Sequence, residues 1–252
     1  MSEQKFPANQ WVERQESGMW PLLTSLDVSG EEFRDEILSR FINNSISPLE
    51  KLLIRKTGFG LLAYNSMISA ERHYNHIQEL DVYECKDVTG QIVQKFMTTM
   101  PALRYLSASR LRATDIFDAP GIDPNGDDHG QEWVCKNIHT LKLCIDMGEE
   151  FGPTSPEYAD RQRHLYRRLS ELKSLKILGM GRGFFQWVVS ADKVIGGQYF
   201  RLSVGLEQLA SLVRLKECSF GPQQYLNLKD IEWMMHTFKS LEAVSTFMKD
   251  DP

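Results

Sequence analysis

Four cysteines in 252 residues, Cys85, Cys135, Cys144 and Cys218, form no CxxC pair and are too sparse for a disulfide framework or a zinc ribbon, which leaves reduced thiols. Long apolar runs are missing too: nothing approaches the roughly 18 residues a membrane span needs. Glu3, Lys5, Glu13, Arg14 and Glu16 interrupt any signal-peptide core, so a cytoplasmic or nuclear protein without a membrane partner is expected. No dense Lys/Arg tract occurs, and the net charge is -5 with a pI near 5.7, so nucleic acid is not an expected partner.

Catalytic fingerprints are equally scarce. There is no GxSxG elbow, HExxH helix, P-loop or dinucleotide motif, and Gly179, Gly181 and Gly183 lack the further glycine that a nucleotide turn requires. His73 and His76 lie three apart with no third ligand in reach, which reads as two surface histidines. The Asp118–Gly130 stretch is acidic but lacks the terminal Glu of a calcium loop, and Asn43-Asn44-Ser45 is read as a chance sequon. No enzyme, cofactor, metal or catalytic residue is expected.

What the chain does contain is a period. The pattern L-x-x-L-x-L recurs eight times, as Leu23/Leu26/Val28, Leu49/Leu52/Ile54, Ile77/Leu80/Val82, Leu103/Leu106/Ala108, Ile138/Leu141/Leu143, Leu175/Leu178/Met180, Leu215/Cys218/Phe220 and Leu241/Val244/Thr246. Successive first members are 26, 28, 26, 35, 37, 40 and 26 residues apart, four of them within the 20 to 29 of leucine-rich repeats and three enlarged by insertions. The last apolar pair in each motif alternates with polar residues, as in a short half-buried strand. Helical spacing follows at Phe33, Ile37 and Phe41 in 31–43, Ile92, Phe96 and Met100 in 87–100, and Ile231, Met234, Met235 and Phe238 in 229–238. Gly205, Leu206, Leu209 and Leu212 read as a further outer helix. One strand-turn-helix unit cannot bury its apolar stripe alone, so stacking is required. The expected fold is an α/β leucine-rich-repeat solenoid, a horseshoe with parallel strands on the concave face and helices on the convex face. Residues 1–19 form a flank, and 20–252 a repeat domain with insertions near 112–135, 147–157 and 181–203.

The third unit, Ile77-Gln78-Glu79-Leu80-Asp81-Val82-Tyr83-Glu84-Cys85-Lys86-Asp87-Val88-Thr89, resembles the cysteine-containing repeats of F-box/LRR proteins, L-x-x-L-x-L-x-x-C-x-x-[IV]-T. The other units keep the leucines without the cysteine, with Lys56, Leu111 and Gly148 near its place, so the wider resemblance is to the ribonuclease-inhibitor-like class. Trp133-Val134-Cys135 and Leu209 to Leu215 look like the expanded blocks of fungal F-box/LRR proteins. The resemblance implies the substrate-recognition part of an SCF-type ubiquitin ligase. No F-box is recognisable, so an adaptor partner is implied only if that motif is supplied elsewhere.

Residues between the buried leucines project from the concave face because strand side chains alternate. That rule collects Lys51, Arg55, Glu79, Asp81, Tyr83, Tyr105 and Lys142, both signs of charge beside two tyrosines, a composition suited to a protein partner. A second candidate contact is the aromatic run Phe184, Phe185 and Trp187 in the 181–203 insertion. The identity of the protein partner is not encoded.

Overall fold

The computed structural model describes residues 10, 13–14, 20–30, 32–112, 115, 132–146, 156–180, 201–220 and 227–246. Each leucine-type motif forms a strand: β1 (Ser25–Asp27), β2 (Lys51–Leu53), β3 (Glu79–Val82), β4 (Tyr105–Arg112), β5 (Thr140–Asp146), β6 (Ile177–Met180), β7 (Glu217–Phe220) and β8 (Ala243–Thr246). They make one parallel sheet in chain order. Its register places the middle motif residues side by side, Leu26, Leu52, Leu80, Leu106, Leu141, Leu178, Cys218 and Val244, so the expected rungs are the observed ones. A one-residue slip would turn the buried leucines outward, and stacked apolar rows therefore fix the pairing.

Between the strands run the helices α1 (Asp35–Asn44), α2 (Leu61–Ser69), α3 (Glu71–Tyr74), α4 (Gly90–Thr99), α5 (Pro156–Ser170) and α6 (Leu228–Thr237). Three were expected near their observed spans. α1 begins later than its apolar spacing suggests, because Arg34 is extended and bridges to Gly58 of the next unit. The segment read as a helix around Leu206 is instead two 3-10 turns, Leu202–Val204 and Leu206–Ser211, separated by Gly205 at φ 95°. A side chain there would meet the Arg163 stem at 2.8 Å, so glycine serves both the left-handed backbone and the close approach. α2, α3 and α5 were not anticipated.

Helices pack about 8–10 Å apart and strands about 4.8 Å apart, so a sheet backed by helices curves with its strands on the inner side. The core lies between the layers and is continuous from Leu26 to Phe238. Neighbouring units interlock through it: the Phe96 ring of α4 is 5.6 Å from Tyr64 and 6.2 Å from Phe59 of the preceding unit.

The turn after the strand repeats as well. Gly30, Lys56 and Glu84 each sit seven residues past the first leucine-type position, and all three have positive φ, 129°, 57° and 58°. The left-handed residue turns the chain sharply and brings the next residue back beneath the sheet, at the cost of mild strain in Lys56 and Glu84. That next residue is Cys85 in the third unit, where its thiol donates to the Ile54 carbonyl at 3.0 Å. In the second unit it is Thr57, not Lys56, whose hydroxyl donates to the same carbonyl at 2.8 Å. Thr89, the last member of the motif, caps α4 by accepting the Ile92 N–H.

Candidate functional site

The inner face is richest on β2, β3 and β4. Lys51, Glu79 and Tyr105 occupy one lateral row, and Leu53, Asp81 and Ser107 the next. Lys51 Nζ lies 2.7 Å from Glu79 Oε2 across adjacent rungs. Arg55 Nε donates to Asp81 Oδ2 at 2.7 Å, the Tyr105 hydroxyl donates to the same oxygen at 3.1 Å, and the Tyr83 N–H donates to Oδ1 at 3.1 Å. Six of the seven expected face residues are thus brought together, Arg55, Asp81, Tyr83 and Tyr105 in one cluster with the Lys51–Glu79 pair beside it.

Asp81 departs from the expectation of a solvated position. It is 1% exposed, because Arg55 and Tyr105 from the flanking rungs close over it. A buried carboxylate is tolerated only when paired and hydrogen-bonded, and here three donors meet it. The hydrogen bond to Asp81 raises the Arg55 pKa. Burial, and then the Asp81 charge, raises that of the Tyr105 phenol. Arg55 keeps a side chain 54% exposed, so its remaining N–H groups face outward with their position fixed from below.

Lys142 does not join the cluster. It is exposed on β5 with its stem against Gly179, where an added Cβ would lie 3.1 Å from its Cγ. Phe184, Phe185 and Trp187 lie outside the described residues. Alternation puts Ser109 in the same row as Arg55 and Tyr83, but sequence reasoning missed that its hydroxyl is buried and accepts the Glu84 N–H at 2.8 Å, and missed the Lys56–Glu84 pair at 3.6 Å between the two left-handed turns. The only available signal was the recurrence of polar residues around the turn. Among the described residues, no group of three or more His, Cys, Asp or Glu side chains could hold a metal ion, and no helix is long and apolar enough to cross a membrane.

No family model and no curated protein matches this sequence. Among solved structures, the tropomodulin C-terminal domain of Caenorhabditis elegans is similar at 12% identity, over 83% of this chain and 93% of that chain, with a TM-score of 0.36. A likeness that distant transfers no function. The fold is that of a leucine-rich-repeat solenoid on its own strand order and register.

Proposed function

We propose that this chain is a protein-binding module and not an enzyme, with its inner sheet face at β2 to β4 as the docking surface. One observation supports this reading above the rest: Arg55, Asp81 and Tyr105, from three consecutive rungs, are locked together with Arg55 still presented outward. A side chain held in place before docking loses little entropy on docking, and Arg and Tyr supply much of the energy at protein interfaces. Lys51 and Glu79, beside the lock, are half-exposed and satisfy each other, which suits the rim of a contact. The aromatic run Phe184, Phe185 and Trp187 is proposed as a second contact. No cofactor enters this reading.

The test is affinity capture from an extract of the native cells, using the full chain and a Lys51→Ala/Arg55→Ala variant. Lys51→Ala changes a solvated side chain, whereas Arg55→Ala also takes a donor from the buried Asp81 and should lower the melting profile. Capture is therefore compared at a temperature where the variant is still folded, and there the specific partner is lost from the variant. Identical captured sets would remove the face from consideration. The narrower role, substrate recognition within an SCF-type ligase, rests on the Ile77–Thr89 motif and is separable. It requires the ligase adaptor in the captured set when an F-box is supplied.

A further inference from the structure

The residue that follows the first leucine-type position of each unit stands at the start of its strand. These residues form an unbroken row: Glu50, Gln78, Arg104, His139, Lys176, Lys216 and Glu242 each donate a backbone N–H to the carbonyl of the equivalent residue one rung earlier, at 2.7 to 2.8 Å. Side chains in the row are neighbours as well, since Lys216 Nζ reaches Glu242 Oε1 at 2.5 Å across one rung. Four consecutive members, Arg104, His139, Lys176 and Lys216, are basic, and the exposed Arg214 lies two residues before Lys216. They are separated by 35, 37 and 40 residues in the chain, so no basic tract announces them.

The charge is consumed locally only at the Lys216 end. Lys216 is paired with Glu242, which closes the row at one end, and Glu50 closes it beyond Gln78 at the other. Among the described residues, no carboxylate pairs with Arg104, Lys176 or Arg214. Their field is felt at His139, whose pKa is lowered, first by partial burial and then by Lys176, Arg104 and Arg214. In a protein of net charge -5, this is a local positive strip on an otherwise acidic molecule.

We propose that the strand-start row Arg104, His139, Lys176 and Lys216, with Arg214, is a docking strip for a short acidic peptide segment, separate from the β2–β4 face. Its length decides the class of occupant. Three rung steps of about 4.8 Å make a strip of roughly 14 Å, the span of about four or five extended residues, enough for three alternate carboxylates. A nucleic-acid backbone would run on past both ends into Glu50 and Glu242, where like charge repels it.

Fluorescence anisotropy with a labelled Glu-Ser-Glu-Ser-Glu peptide on the full chain tests this. Binding at low salt that weakens as salt rises is expected, with Arg104→Glu/Lys176→Glu losing about tenfold, near 1.4 kcal/mol. Lys142→Glu, an equally exposed cation off the row, should change affinity less than twofold. The Glu variants should keep the wild-type circular dichroism melt, and Arg104→Gln/Lys176→Gln provides a milder second pair. No binding by the wild type at millimolar peptide, or an equal loss in Lys142→Glu, overturns the strip. Tighter binding of a single-stranded DNA 12-mer than of the peptide overturns the choice of occupant.

Discussion

At the residue scale the most informative side chain is His73. Two histidines at helical spacing looked like a surface pair, yet His73 is fully buried while His76 is exposed. Its Nδ1 accepts the Leu49 N–H at 3.2 Å, which leaves Nε2 to donate to the Ile42 carbonyl at 3.1 Å, so one neutral ring stitches the second unit to the first. Burial, with Arg72 beside it, lowers its pKa to about 4. An unfolded chain takes up that proton near pH 6.5, so between about 6.5 and 4 the unfolded state holds more protons than the folded one. Stability is therefore full above pH 6.5 and falls as pH drops through this window, by up to about 3 kcal/mol. Urea unfolding from pH 7.5 to 4.5 should show this decline in the wild type and a shallower one in His73→Gln. Parallel curves would assign the pH dependence to other groups.

At the scale of the element, helix ends are satisfied by neighbours as much as by their own sequence. α2 starts at Gly60 with no capping side chain of its own, and Asp35 of α1 does the work from the adjacent unit. Its Oδ1 accepts the Gly60 and Ala63 N–H groups at 2.9 and 2.8 Å, and its Oδ2 accepts the Leu62 N–H at 2.9 Å. Asp35→Ala should cost about 1–2 kcal/mol in urea unfolding, with Asp35→Asn recovering part of it. A cost no larger than that of Glu36→Ala would mean water replaces the cap. α6, by contrast, has a capping box within its own sequence, Asn227 with Asp230, and its apolar spacing was readable. The α2 helix was not readable because its start signal lies 25 residues away. The inner-face cluster was half readable for the same reason: alternation named Asp81, but only the lateral neighbours Arg55 and Tyr105 buried it.

For the whole molecule, stacking decides what a side chain is worth. Met97 and Met235 each stand 20 residues past the first leucine-type position of their units. Met97 is 1% exposed, covered by the following unit, where Cys135 Sγ approaches its sulfur at 3.6 Å. Met235 is 67% exposed because the described residues end at β8, with no segment after it to lie over α6 as Cys135 lies over α4. Val244, in the otherwise buried middle row, is 48% exposed because no described strand pairs beyond β8. Met97→Ala should cost about 2–5 kcal/mol, and Met235→Ala about 0.5 kcal/mol or less. Comparable losses in thermal or urea unfolding would show that Met235 is covered in solution.

The sequence by itself determined the rungs: a leucine-type triplet commits each strand to one face, and a fixed triplet commits every copy to the same register. It also determined which residues line the inner face, since alternation needs no knowledge of neighbours. Only the tertiary structure decided the rest, namely the burial of Asp81 and His73, the cap that Asp35 lends α2, and the basic row from Arg104 to Lys216. Each of these joins residues about 25 to 40 positions apart that meet only once successive turns of the solenoid are laid against each other.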